Sequence, residues 1–352
     1  MTDPNTDHAT DSVVKLVIFA GVVGAVLIGF SILSSQGQKT RNALVVYCAH
    51  DSVYSQQVLR AFEFRTGIKL KVRFDSEATK SLGLIEQIVQ EADAPRCDVF
   101  WNNELLGMLD LAEKDLLHPY KGRGYNRIPE RYKDPEGRWT GFAARLRVYI
   151  VNTDKMQLNA STLTDRLAGP LDRFAIAKPL YGTTLTQYAV LWHQWGPDKL
   201  KAWHQDYRTR NAKEVNGNAA VKNLVAQGVC DFGLTDTDDF FLAKDAGDPV
   251  DMLPVRLDSG ETIAIPNTVA IIKGTTRIRE AQQLVDYLLS AESERLLANS
   301  KSRQVPLGRV DRSQLNDEVK ALIQWTKQGY PLNDLSTARN QCLDWLKSEY
   351  VK

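Results

Sequence analysis

Three carboxylates lie within four residues of one another, where a predicted strand gives way to a predicted helix. They are Asp236, Asp238 and Asp239, and they follow the apolar run 229–234. Carboxylate oxygens are hard ligands that suit iron, calcium, magnesium or manganese, and they equally suit an organic cation. The same residue type also caps helices and stabilises their N-termini. The pattern therefore predicts a ligand-binding cluster or a helix cap.

Polar residues also follow two earlier predicted strands. Asp51 and Ser52 come directly after the apolar run 44–50, and Asn103 and Glu104 come after the third predicted strand. In open α/β sheets, ligands bind at loops beyond the carboxyl ends of the strands, so these side chains are expected to contact a ligand. Each could equally cap the helix that follows it.

Arg145 and a hydroxyl-rich loop offer a different chemistry. Arg145 lies in a predicted strand, where a lone arginine usually forms an ion pair, but near a hinge it can also contact an anion. Thr183 and Thr184 follow Gly182 in a turn-rich stretch before a predicted helix. Such a helix N-terminus can hold a phosphate or a carboxylate. The sequence therefore also predicts an anion-binding group, with a plain turn as the other interpretation of the loop.

Composition and motifs argue for a binding protein. The chain has 352 residues and a formal net charge of +1, so no broad surface for nucleic acid is expected. It contains no G-x-S-x-G, HExxH, Walker or strand-linked G-x-G-x-x-G motif, and no nucleophile can be matched with a base. We therefore predict no enzymatic activity. A hydrolase or transferase on the same scaffold and a membrane-tethered sensor ectodomain stay open as alternatives.

The order of predicted elements indicates an α/β protein with two lobes. Three strand–helix units come first, as expected for a doubly wound, mainly parallel sheet. Two long extended runs, 138–152 and 262–273, then bracket a second α/β block, so the chain leaves the first lobe once and returns once. We expect one lobe from residues 44–145 with 268–352 and the other from residues 146–267, with a ligand cleft between them.

An apolar segment precedes this α/β part. Residues 16–33 carry no charge and are just long enough to span a bilayer as one helix. We predict that residues 1–43 are a tail, an anchor helix and a linker, in a single-pass cell-membrane protein whose soluble part is periplasmic. A cleaved signal peptide is the alternative. Counting positive charges alone favours the opposite orientation by one charge, so the downstream domain decides it.

Six stretches of the chain carry a family resemblance. They are VYCAHDSVYSQQVLRAFEFRTGIKLKVRF, APRCDVFWNNELLGMLDLAEKDLL, GRWTGFAARLRVYIVN, AVKNLVAQGVCDFGLTDTDD, IAIPNTVAIIKG and AQQLVDYLLSAESERLLA. In order and spacing they resemble the type II periplasmic solute-binding proteins of ABC importers. The resemblance covers residues 44–307, and the nearest branch is the ferric-ion-binding proteins. It implies a type II two-lobe fold with a discontinuous first lobe, a solute held in the cleft, and an ABC permease as partner.

The resemblance also implies a set of metal ligands. The ferric branch holds iron with a His after the first strand, an acidic residue after the third, and two adjacent Tyr after a later one. His50 lies one residue before the first position, and Glu104 (or Asn103) matches the second. The Tyr pair falls on Asp238 and Asp239, which replace phenolates by carboxylates.

The implied cargo is therefore Fe3+ with a carrier anion, and Arg145 matches the arginine that the ferric branch places near that anion. Because the two tyrosines are missing, a second cargo stays open. It is an anionic or phosphorylated organic solute, bound through Arg145, Thr183 and Thr184.

Overall fold

The structure is a computed structural model that describes residues 43–75 and 82–350. The described residues from Leu44 onward form one compact unit. Over the described ranges, no helix has the length and apolarity needed to cross a bilayer. The segment predicted as a membrane anchor, residues 16–33, lies outside the described residues, so the anchor stays a prediction.

The strands form one mixed sheet. Its order is β2-β1-β3-β10-β5-β8-β6-β7, with β4 paired to β10 and β9 paired to β5. The strands are β1 (Leu44–Cys48), β2 (Leu70–Phe74), β3 (Val99–Asn102), β4 (Leu117–His118), β5 (Thr140–Asn152), β6 (Phe174–Ala177), β7 (Lys213–Val215), β8 (Phe232–Asp236), β9 (Val250–Pro254) and β10 (Ala264–Ile272).

Helices cover the sheet and follow most of its strands. They are α1 (Ser52–Thr66), α2 (Leu82–Gln90), α3 (Leu106–Glu113), α4 (Arg123–Arg127), α5 (Ala160–Ala168), α6 (Gly182–Trp195), α7 (Pro197–Thr209), α8 (Asn218–Ala226), α9 (Thr237–Asp245), α10 (Ile278–Leu288), α11 (Ala291–Ala298), α12 (Asp317–Lys327) and α13 (Ser336–Tyr350). Short 3-10 helices lie at Glu130–Tyr132 and Arg312–Gln314.

The two extended runs predicted from the sequence are the central strands β5 and β10, which pair with each other antiparallel. The first half of β5 pairs with β10, and its second half pairs with β8 on one side and β9 on the other. Both strands are mostly apolar and almost wholly buried, as expected for strands covered on both faces. The predicted lobe boundaries fall within these two strands and stay a prediction.

The expectation of a mainly parallel sheet is right only for the outer strands. β1 pairs parallel with β2 and β3, and β6 pairs parallel with β7 and β8. All pairings of β5 and β10 are antiparallel. The physical reason is the path of the chain, because β5 and β10 carry it across the sheet in opposite directions instead of belonging to strand–helix–strand units.

Candidate functional site

A cavity of about 490 Å3 opens where strands of the two parallel groups end, which is within the usual range for a small-molecule site. The residues after β1, after β3, after β6 and at the end of β8 meet there. Among the residues that the structure describes, every residue predicted for the site lines this cavity except Glu104. The predicted residues that line it are His50, Asp51, Ser52, Asn103, Arg145, Thr183, Thr184, Asp236, Asp238 and Asp239.

Asp236, at the end of β8, is the centre of a buried polar network. Its Oδ1 accepts a hydrogen bond from Arg147 Nη1 at 2.8 Å, and its Oδ2 lies 3.2 Å from Arg145 Nε. The same Oδ2 accepts from Thr183 Oγ1 at 2.6 Å and from Asn218 Nδ2 at 2.9 Å. Both carboxylate oxygens are thus already satisfied by protein donors, so Asp236 positions its neighbours.

The charges in this network hold one another in their ionised forms. Burial alone would raise the pKa of Asp236, but Arg147 and Arg145 outweigh it and lower the pKa below the ordinary value. Burial alone would lower the pKa of Arg145, but Asp238 and Asp236 outweigh it and raise that pKa. The network is therefore an ionised, buried charge cluster.

Asp238 and Asp239 lie in the first turn of α9, half-buried at the cavity wall. One oxygen from each of these two residues and one from Asp236 lie within 4.8 Å of one another, a spacing that would suit a metal ion. Asp238 Oδ2 is 3.8 Å from Arg145 Nε, and Asp239 Oδ2 accepts from Thr235 Oγ1 at 3.0 Å. Asp238 and Asp239 therefore place two carboxylates at the wall of the cavity, where they can contact a ligand.

His50 lines the cavity but uses both ring nitrogens within the protein. Nε2 is 2.7 Å from Gln304 Nε2, and Nδ1 is 3.3 Å from the Asp51 carbonyl oxygen. Since the amide nitrogen can only donate, Nε2 accepts and Nδ1 carries the proton that it donates to Asp51. Ligation of a metal by His50 would require the bond to Gln304 to break.

Glu104 caps the helix that follows it, which is the alternative role that the sequence left open. Its carboxylate accepts hydrogen bonds from the backbone N–H groups of Leu106 and Gly107 and from Asn102 Nδ2. It therefore satisfies the first N–H groups of α3, and burial raises its pKa. Asn103 lines the cavity, whereas Glu104, one residue later, caps α3. The ligand-facing role and the capping role thus fall on neighbouring residues.

The sequence predicts a loop at Thr183 and Thr184, but both residues lie in the first turn of α6. Gly182 begins that helix with a positive φ of 62°, a conformation that glycine adopts without strain. Thr183 donates to Asp236, and Thr184 Oγ1 lies 3.3 Å from Asn218 Oδ1. The predicted helix N-terminus is thus present at the cavity, and the helix begins earlier in the chain than expected.

Sequence reasoning missed four residues of this site. Arg147 follows Arg145 by two along β5, and a strand places such residues on one face, so their spacing was a usable signal. Asn218 begins α8 and bonds Asp236, while Lys178 and Asp75 line the cavity after β6 and β2. For Lys178 and Asp75, the position after a strand was the only signal in the sequence.

The charge of the cavity favours a cation. Its described lining contains five aspartates against two cations, Arg145 and Lys178. Arg145 is itself 3.2 Å from Asp236 and 3.8 Å from Asp238. The arrangement can attract a positive ligand to the aspartates and hold an anionic group beside Arg145.

Comparison with known proteins gives a family match over most of the chain. The model of a family described as bacterial extracellular solute-binding protein matches residues 44–300. Iron uptake protein A1 of Synechocystis sp. (strain ATCC 27184 / PCC 6803 / Kazusa) is 22% identical over 351 residues, covering 92% of this chain and 94% of that protein.

Solved structures share the fold. Iron-bound HitA from Pseudomonas aeruginosa has a TM-score of 0.77 at 22% identity and covers 88% of this chain and 99% of its own. AfuA from Actinobacillus pleuropneumoniae, with fructose-6-phosphate bound, has a TM-score of 0.70 at 19% identity and covers 87% and 98%. The α/β fold of periplasmic binding proteins, predicted from the sequence, is confirmed.

Proposed function

Because the chain belongs to the bacterial extracellular solute-binding proteins, we propose that it captures a small solute in the Asp238–Asp239 cavity and delivers it to an ABC permease. The family is one of binding proteins, so the prediction that this chain is not an enzyme is confirmed. Delivery to a permease and a membrane tether at residues 16–33 are part of the proposal. They rest on the resemblance and on the apolar N-terminal sequence.

We propose that the cargo is a hard cation, ferric iron first, bound together with a carrier anion. The observation that carries this is the excess of aspartates in the cavity, with Asp238 and Asp239 at one wall. Arg145 and the N-terminus of α6 are placed to bind the anion, since both present positive charge to the same space. Two relatives by name or title concern iron, which supports the choice.

Capture would follow the usual course for a two-lobe protein. Ligand contacts from both lobes favour a closed state, and the strands that connect the lobes absorb the motion. We assign this hinge to β5 and β10. Asn103 from the first predicted lobe and Asp238 from the second line the same cavity, so a ligand that contacts both would stabilise the closed state.

Thermal unfolding of chelator-treated protein tests the cargo. The panel is ferric citrate, citrate alone, Ca2+, Mn2+ and sugar phosphates. A ligand at a hundredfold excess over its Kd stabilises the folded state by about 2.7 kcal/mol. We expect the largest shift with ferric citrate and its loss in Asp238→Asn/Asp239→Asn. Asp198→Asn is the matched control, because Asp198 is also in a first helical turn but is exposed and outside the cavity.

A second candidate cargo is a phosphorylated organic solute. The volume of about 490 Å3 is far larger than a bare ion needs, and two threonines at a helix N-terminus suit a phosphate. AfuA, which shares the fold, has fructose-6-phosphate bound. A shift with sugar phosphates alone, lost in Arg145→Ala, would favour this cargo over iron.

A further inference from the structure

A second cavity, of about 400 Å3, lies away from the candidate site and shares none of its described lining residues. It is bounded by the 3-10 helix Glu130–Tyr132, by residues 305–310 and by α12. Its floor is apolar. The apolar residues of the lining are Pro129, Tyr132, Val305, Pro306, Leu307, Val310 and Ile323.

The charged residues around this second cavity are all cations. Arg131, Arg309, Arg312 and Lys327 line it, and the described lining holds no carboxylate. None of these four side chains is within 4.0 Å of a carboxylate of the described chain. All four are exposed. Four unpaired cations around one small space repel one another, and a bound anion would relieve that repulsion.

The walls of this cavity are fixed by buried interactions. Glu294 is fully buried, and its carboxylate accepts hydrogen bonds from the backbone N–H groups of Leu307 at 2.7 Å and Gly308 at 3.1 Å. Arg127 Nη2 lies 2.6 Å from the same carboxylate and 3.0 Å from the Arg309 carbonyl oxygen. The segment carrying Arg309 is thus held in place before any ligand arrives, which lowers the entropy cost of binding.

Neighbouring segments hold the opposite wall. Tyr132 Oη donates to the Thr326 carbonyl oxygen at 3.2 Å, and Arg131 Nη1 donates to the Lys327 carbonyl oxygen at 3.2 Å. The 3-10 helix is therefore tied to the end of α12. A bounded pocket of this kind fits one compact molecule better than an extended segment of another protein.

We propose that this second cavity binds a small anionic amphiphile, namely a fatty-acid-like carboxylate. Its apolar body would lie on Val305, Leu307 and Ile323, and its carboxylate would lie among the cations, with Arg309 and Arg312 as the principal partners. Arginine suits this role because its planar guanidinium can bind a carboxylate through two hydrogen bonds. The proposal does not depend on the cargo of the candidate site.

Titration calorimetry of the full chain tests the proposal, with octanoate, hexanoate and octan-1-ol as probes. We expect one octanoate per chain, with hexanoate weaker by roughly fourfold for each methylene removed and octan-1-ol weaker by at least tenfold. Arg309→Glu/Arg312→Glu should lose at least tenfold in octanoate affinity. Arg60→Glu/Arg279→Glu, two exposed arginines outside both cavities, should leave it unchanged.

Equal binding of octanoate and octan-1-ol, or equal binding to the two double variants, would overturn the proposal. Binding of an acidic peptide in place of octanoate would also overturn it, since the pocket would then be a protein-docking surface. The four substituted side chains are exposed, so both double variants should fold. Their thermal midpoints without ligand verify this.

Discussion

Asp236 and Arg147 form a buried ion pair directly behind the candidate site, with Oδ1 and Nη1 2.8 Å apart. The two residues are register partners across the antiparallel β5–β8 pairing, so the sheet itself brings them together. Arg147 is 0% exposed. A guanidinium in that position is tolerated only because Asp236 neutralises it, and the pair in turn fixes the backbone from which Asp238 and Asp239 extend.

Asp236→Asn should destabilise the protein strongly. The change leaves Arg147 buried without its carboxylate partner, and breaking a buried ion pair in this way typically costs about 3–5 kcal/mol. Urea unfolding measures the loss.

Asp258→Asn is the control for that experiment. Asp258 lies 2.9 Å from Lys199, but both side chains are mostly exposed, so the variant should lose less than about 1 kcal/mol. Equal losses in the two variants would show that the Asp236 network contributes no more than a surface pair.

His204 should make stability depend on pH between 6.5 and about 4. His204 is 1% exposed, and burial lowers its pKa from 6.5 to about 4. In that window the unfolded chain binds a proton that the folded chain does not, so stability falls as pH falls. Above pH 6.5 the contribution is constant. The loss attributable to this group is at most about 3 kcal/mol.

The pH dependence can be assigned with one variant. His204 Nδ1 lies 2.9 Å from Tyr188 Oη and 3.0 Å from Tyr207 Oη, and Glu214, Arg208 and Glu349 are the charges that act on the ring. His204→Gln should flatten the stability profile between pH 6.5 and 4. An unchanged slope in this variant would mean that other groups cause the dependence.

Glu104→Ala should lower stability without changing metal binding. It removes the acceptor for two N–H groups at the start of α3, and the loss of such a cap typically costs about 1–2 kcal/mol. Glu113→Ala, at the exposed far end of the same helix, should have little effect. If Glu104→Ala abolished ferric binding at unchanged stability, Glu104 would be a ligand as the family resemblance implies.

Periodicity and strand-end positions sufficed to predict most of the elements that build the site, but not the start of α6. The runs 138–152 and 262–273 contain β5 and β10. Strand–helix junctions placed Asp51, Asn103 and Asp238 near one edge of the sheet. These features depend on local sequence and can therefore be read without tertiary information.

The roles of individual side chains could not be predicted in the same way. That Asp236 is saturated depends on Arg147, which is 89 residues away along the chain, and therefore on the register of β5 against β8. The ring of His50 is engaged by Gln304, 254 residues away. Glu104 differs from Asn103 by one position at a strand end, and only the packing of α3 decides which of them reaches the cavity.

Anomalous diffraction at the iron edge, from crystals grown with ferric citrate, tests the central claim most directly. The account predicts a strong peak in the cavity, in direct contact with a carboxylate oxygen of Asp238 and one of Asp239, with citrate density beside Arg145. Crystals of Asp238→Asn/Asp239→Asn should lack the peak. A peak at other residues, or an organic anion in the cavity with no iron, would contradict the claim that these two aspartates bind a cationic cargo.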